Sequence, residues 1–554
     1  MPKQKAITVT PDARIGRLCL VVLCAVILII GLVRLRLAGA PLERDEGEYA
    51  YAGQLMLQGV LPFVEMYNMK MPGIYAAYAV VLAVFGQSAV GVHLGLLLVN
   101  FASIVMLYFL ARRYFSTQFA VIASGTFGLM SLSSGVLGAF AHATQFVVCF
   151  GLAAFLVLMQ PGRPVRWPAG FASGLLFGLA FMMKQHAAPF IVVAGVYLLW
   201  QLNRNKEASI SSRVATAILF GAGVFIPFLI SCAALWGAGV FDRFWFWTFE
   251  YAGAYVSKNT AATIPENLGY AFQSMVPPVF LMTLLALCGL FAMWKFKSKA
   301  AFIVSLLVAG AIAVSPGFYY RTHYFVLVLP LAGILVAFGA DWASQRLPRT
   351  MKAGALAPLI IAAIAWGQYL FSDRAYLFTQ TPVEVSRAIY GANPFPESVQ
   401  IGQYLRENTE PEDRIAIIGS EPQLCFYSQR RSASGFAYVY ALMEDQPFAS
   451  QMQKQMIEEI ENGNPRYAVI IAVSTSWLGH PDSDRTIMEW ARKYELEKCE
   501  RVCLIDITPI GAIYHWNEDQ KGRNPQSNAW VGIYKVRDWK PAVAESSVDV
   551  SALR

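Results

Sequence analysis

Charge is what this 554-residue chain has least of. Only 14% of its residues are Asp, Glu, Lys or Arg, against roughly 25% in soluble domains. Hydrophobic residues make up 56%, and the mean hydropathy is +0.45. So little charge cannot clothe the whole chain for water, which excludes an entirely soluble fold. Also missing are a P-loop, a GxGxxG turn and a repeat of fixed period, which removes the common nucleotide-binding and solenoid readings. The eight cysteines contain no CxxC pair. Cys19, Cys24, Cys149, Cys232 and Cys288 stand in apolar runs as small hydrophobes. Cys499 and Cys503 are too widely spaced for a redox motif, and we expect no metal site. A disulfide among Cys425, Cys499 and Cys503 is open only if that region faces an oxidising compartment.

The formal net charge of +8 would suggest nucleic acid in a soluble protein. Here the Lys and Arg fall in short segments between apolar runs, the topogenic pattern of membrane proteins, so nucleic acid is not an expected partner. The runs lie at 17–39 and near 90–110, 117–137, 140–159, 169–183, 187–202, 214–236, 276–294, 300–316, 322–340 and 354–371. Most approach bilayer-spanning length, which gives about eleven spans. The first ends in Ala38-Gly39-Ala40, like a signal-peptidase site. Arg34 and Arg36 interrupt its end, and we read it as an uncleaved span.

The connections alternate in charge. Arg112-Arg113, Arg163 with Arg166, Arg204 to Arg213, Lys295 to Lys299 and Arg346 to Lys352 form a basic set, which belongs in the cytoplasm. The amino terminus is then cytoplasmic, and the chain beyond about 372 is extracytoplasmic. Ile74–Phe85 is too short to span and reads as an interfacial helix. Residues 237–275, rich in Phe, Trp and Tyr, read as a loop at the headgroup level. Beyond 372 the pattern changes. Segments 414–419 and 467–473 read as buried strands, with further strands near 502–507 and 530–536 and amphipathic helices at 397–408 and 447–462. The expected fold is a mainly α polytopic membrane domain over 1–371, with a first outer loop at 40–88. A small extracytoplasmic α/β domain over 372–540 and a flexible tail over 541–554 follow.

The chemistry-bearing stretch is Glu43-Arg44-Asp45-Glu46-Gly47-Glu48-Tyr49, just after the first span. Ionisable groups at a membrane edge are functional candidates by default. Asp45 and Glu48 share a helical face, and Lys70 is a single cation just before Pro72-Gly73. One carboxylate plus one cation suits sugar transfer from a phosphate-linked donor. The leaving phosphate needs a cation and no general acid, and the acceptor hydroxyl needs a base. We therefore expect Asp45 and Lys70 to meet. Lys184, His186, His142, Asp242, Arg243, Glu250, Arg321 and His323 fall on the same expected side. Each also has a plainer reading: Lys184 snorkels to headgroups, His142 packs at a span end, and Asp242 and Glu250 are solvated. Arg430-Arg431 reads as a solvated face, and Met66, Met69 and Met71 as adaptable packing.

Arg44 to Ala50, Gly59-Val60-Leu61-Pro62-Phe63, Lys70 to Gly73 and Phe85-Gly86 together resemble the first outer loop of the GT-C glycosyltransferases. The resemblance is to the branch of protein O-mannosyltransferases, lipid A aminoarabinose transferases and lipopolysaccharide-core transferases. Gly178 to Lys184 and Tyr320-Arg321-Thr322-His323-Tyr324 are similar to later pieces of that family. The resemblance implies a polyprenyl-phosphate-linked sugar as donor, a lipid, glycan or protein acceptor in the cell envelope, and an active site outside the cytoplasmic (inner) membrane. It carries the catalytic role onto Asp45 with Glu46 beside it, and donor-phosphate binding onto Lys70, Arg321 and His323. Glu48, Tyr49, His142, Lys184 and Asp242 are candidate substrate contacts. No cofactor is required on this reading. Gln145, standing where relatives often carry Glu, leaves any divalent-metal requirement open. The competing reading is a transporter or lipid flippase, against which stands the absence of paired broken spans in matching halves. A third is a receptor whose outer domain binds a ligand.

Overall fold

The computed structural model describes residues 13–205, 207–347, 354–508 and 510–539. Residues 1–12 and the tail expected over 541–554 lie outside the described residues. The chain divides into two compact units. One comprises Met1–Ala38, His93–Ser231 and Val256–Gln380, and the other Gly39–Val92, Cys232–Tyr255 and Thr381–Arg554.

The first unit is helical, as its apolar runs require. Among the described residues of the whole chain, six helices are long and apolar enough to cross a membrane: Ile15–Leu37, Ala89–Arg112, Gln185–Arg204, Ile210–Gly237, Thr322–Ser344 and Gly354–Ser372. A seventh candidate is the pair Ala261–Met275 and Phe280–Lys295, bent by 117°. The remaining runs expected to span are also helical but shorter: Thr117–Met130, Ala143–Leu158, Trp167–Met183 and Lys299–Val314. Neighbouring helices approach through small residues. A Cβ at Gly289 would collide with the Leu335 carbonyl, and one at Gly339 with that of Leu285.

The two arginines ending α1 (Ala13–Leu37) bind this bundle. Arg34 is buried and donates to Asn100 Oδ1 (3.3 Å), Gly138 O (2.9 Å) and Ser131 O (3.2 Å). Arg36 donates to the carbonyls of Tyr376, Leu377 and Gln380. Carbonyls at turns and helix ends supply the partial negative charge that an intramembrane guanidinium needs.

The second unit joins α2 (Arg44–Leu57), α3 (Pro72–Phe85) and an aromatic segment to a six-stranded sheet. Its strands are β1 (Arg414–Ile418), β2 (Arg431–Ser432), β3 (Tyr467–Ala472), β4 (Cys499–Thr508), β5 (Gly511–Trp516) and β6 (Trp530–Val536), in the order β2-β1-β3-β6-β4-β5. Strands β2, β1 and β3 run parallel, while β6, β4 and β5 pair antiparallel. The helices expected at 397–408 and 447–462 are Phe395–Glu407 and Ala449–Gly463. Strands β2 and β5 escaped the sequence pattern, one being two residues long and the other only half-buried.

Two expectations need correction. Residues 237–275 are largely helical rather than a loop, with Phe241–Trp245, a π-turn at Phe246–Tyr251, Ala252–Ser257 and Ile264–Met275. Spacing by four stacks Phe241, Trp245 and Phe249 on one another (6.0 and 4.5 Å between centroids), a contact that exists only in a helix. Arg430 is buried rather than solvated. It donates to Thr409 Oγ1 (2.8 Å), Thr409 O (2.7 Å) and Arg406 O (3.1 Å), closing the end of the helix Phe395–Glu407. Arg431 instead pairs with Glu65 at 3.0 Å.

Candidate active site at the start of α2

Helix α2 starts where it does because Glu43 caps it. Glu43 has extended backbone, and its carboxylate accepts from Glu46 N (2.9 Å) while Glu46 Oε2 accepts from Glu43 N (3.3 Å). This is a reciprocal capping box built from two acids. Both side chains are buried, and burial pushes the Glu43 carboxyl well above its ordinary range, with Asp45 and Glu46 adding to the rise. The Glu46 carboxylate is thus engaged with backbone at the helix entry.

Asp45 is the acid that the cap leaves accessible. Its Oδ1 lies 3.2 Å from Lys70 Nζ, with the side chains 14% and 18% exposed. Lys70 precedes Pro72 at the start of α3, where proline needs no amide partner and begins the helix. Tyr49, one turn after Asp45 and fully buried, places its ring 5.5 Å from the ammonium. Glu48 is also fully buried. It accepts from Tyr75 Oη (2.6 Å) and Asn68 Nδ2 (2.7 Å), and Asn68 Oδ1 in turn accepts from Met69 N (2.7 Å). Glu48 therefore braces the strip 68–75 that carries Lys70. Burial raises the Glu48 carboxyl to about 7, with Lys70 opposing the rise and Asp45 reinforcing it. An ammonium beside one accessible carboxylate, on rigid helix starts, is a site for an anion next to a proton acceptor.

Asp242 is exposed in the same unit. Its neighbour Arg243 donates to Phe63 O (2.9 Å) and lies 4.7 Å from the Tyr67 ring centre. The other unit holds the remaining candidates. His142 and His323 stack with centroids 4.2 Å apart and planes 10° from parallel, and Thr144 Oγ1 donates to His323 O (2.9 Å). Lys184 Nζ lies 4.2 Å from the Tyr324 ring centre, and His186 packs edge-on to the same ring. The Lys184 ammonium therefore meets an aromatic face, a partner that the snorkelling reading does not supply. Arg321 is exposed. That unit also holds a partly open apolar cavity of about 920 Å³, lined by residues such as Leu107, Val148, Phe155, Phe177, Phe302 and Leu306.

Residues that sequence reasoning passed over also shape the site: Asn68 and Tyr75 around Glu48, and Arg44 with its partners. Asn68 had a signal, lying in the same short stretch as Lys70. Tyr75 had none, because a tyrosine on an apolar helix looks like packing.

Comparison with known proteins places these observations. Residues 70–231 match the model of the family described as dolichyl-phosphate-mannose-protein mannosyltransferase. The chain is 24% identical to undecaprenyl phosphate-alpha-4-amino-4-deoxy-L-arabinose arabinosyl transferase 2 of Pseudomonas fluorescens, over 63% of this chain and 59% of that one. It is 28% identical to the corresponding transferase of Pseudomonas aeruginosa, over 37% of this chain and 38% of the other. The match thus spans less than two thirds of the length of each relative. Among solved structures, ArnT from Cupriavidus metallidurans bound to undecaprenyl phosphate superposes with a TM-score of 0.58 at 15% identity, covering 94% of this chain and 98% of that one. The chain shares the fold of that ArnT structure, and its long apolar helices make it a multi-span membrane protein.

Proposed function

We propose that this chain is a membrane glycosyltransferase moving a sugar from a polyprenyl-phosphate donor to a hydroxyl of an extracytoplasmic lipid, glycan or protein. The observation that carries the reading is the Asp45–Lys70 pair, 3.2 Å apart and partly open to solvent at a capped helix start. Asp45 takes the acceptor's hydroxyl proton as the acceptor oxygen attacks the anomeric carbon. The bond from that carbon to the phosphate oxygen breaks on the opposite side, so the configuration inverts. Lys70 exchanges Asp45 for the donor phosphate and stabilises the negative charge that departs with it. Tyr49 and Glu48 hold the ammonium's surroundings in place.

On the charge pattern of the connections, the site and the α/β domain face away from the cytoplasm and the amino terminus lies inside. The membrane is the inner one. The test is Asp45→Asn in purified protein with polyprenyl-phosphate sugars. Transfer is expected to fall by between about 10²- and 10⁴-fold, with folding unchanged. Mass spectrometry of lipid-linked sugars and envelope glycans in intact and deleted strains names the sugar and acceptor. Lipid flipping in proteoliposomes without sugar consumption would replace the enzyme reading with the flippase one.

A further inference from the structure

Ligands of open α/β sheets gather outside the carboxyl ends of parallel strands, beside the point where strand order reverses. In this sheet that place lies beyond β1 and β3, at Gly419-Ser420-Glu421 and Ser474-Thr475-Ser476. It is filled from within the same unit. Arg44, the first residue of α2, donates to Glu421 Oε1 (2.6 Å), Asn393 Oδ1 (2.9 Å), Tyr440 Oη (2.7 Å) and the Ser420 carbonyl. Glu421 is fully buried and Arg44 nearly so. The surrounding loops are tied to one another as well. Thr475 Oγ1 donates to Asn393 Oδ1 (2.8 Å), Tyr440 Oη to Thr475 O (2.6 Å), and Ser420 N to Ser476 Oγ (2.8 Å). Three residues along, Gly47 lets α2 lie backbone to backbone on the helix Gln423–Ser428, where a Cβ would stand 2.8 Å from Gln423 N.

We propose that the C-terminal α/β domain serves the transfer reaction by gripping Arg44 in its strand-end crevice, which makes Arg44 the positioning residue for Asp45. The role rests on Asp45 being the base, as set out above. Arg44 and Asp45 are adjacent on one helical turn, so any slip of the guanidinium tilts the carboxylate. A displacement near 1 Å at a reacting group costs about 10²-fold in rate. A buried planar fork with four acceptors also explains why this position carries Arg: a lysine ammonium cannot reproduce the fork. The domain's crevice is thereby committed to the enzyme's own chain, and acceptor recognition falls to other surfaces.

The experiment measures kcat and donor KM of Arg44→Lys, Glu421→Gln and the double variant in full-length protein, beside thermal unfolding. Arg44→Lys is expected to lower kcat about 10- to 100-fold with donor KM changed less than about threefold. The double variant should fall little further, because both changes break one network. A merely structural clamp would lower the unfolding temperature while leaving kcat of the folded fraction intact, and that result overturns the proposal. If Arg44→Lys does not fold, Tyr440→Phe removes one of Arg44's four acceptors, together with the Tyr440–Thr475 bond, and should lower kcat roughly threefold. An unchanged kcat there is equally adverse. If Asp45→Asn keeps full transfer, the base assignment fails and the positioning role falls with it. If Asp45→Asn is inactive while Arg44→Lys is normal, only the positioning role is lost.

Discussion

Replacing Glu48 by Gln isolates the electrostatics of the site. A carboxyl that titrates at about 7 instead of its ordinary 4.5 carries roughly 3 kcal/mol against its ionised form. The main cause is burial, since Glu48 is fully enclosed. The folded value is raised above the unfolded one, so the associated stability is complete below about pH 4.5 and is lost as pH rises through about 7. Above that pH a second carboxylate stands near Lys70 and competes with a donor phosphate for the ammonium. If the chain is the transferase proposed above, donor KM of the native protein should then rise on the order of threefold between pH 6 and pH 8.5, the size of a part-exposed charge interaction. In Glu48→Gln this rise should be absent. Infrared difference spectra across the same range should show a protonated-carboxyl band disappearing near pH 7 in the native protein and missing from the variant. A band that titrates identically in both proteins, or a KM that climbs equally in both, would refute the reasoning.

Two further outcomes are expected. Lys70→Ala should weaken donor use, raising donor KM by roughly tenfold or more, the loss of a charge-assisted phosphate contact; Arg321→Ala and His323→Ala, read the same way, show whether those side chains share in donor binding. Gly47→Ala gains up to about 1 kcal/mol of helix propensity but drives a Cβ to 2.6 Å from Gln423 Cβ. The clash should win, with a net loss of about 1–3 kcal/mol visible in thermal unfolding, together with reduced transfer. An Ala variant as stable and active as the native protein would show that α2 does not need this close approach.

Much of the fold was legible because its causes are local. Each apolar run is a helix, since a chain without water around it must satisfy its amides internally. The strands β1 and β3 are continuous apolar segments, as strands buried on both faces must be. What failed had two causes, one distant along the chain and one local. Arg430 looks like any solvated arginine until the carbonyls of Arg406 and Thr409 are brought to it. Residues 237–275 look like an aromatic loop until ring stacking four residues apart makes helices of them.

At the site the division is equally plain. The identity of Asp45 and Lys70 as a matched acid and cation was readable from the chain, because charge is scarce there and its type limits the chemistry. Their separation, the enclosure of Glu48 and the seat of Arg44 were not. Each depends on residues 20 to nearly 400 positions distant, and no local pattern encodes a distance that only the closed tertiary structure brings about.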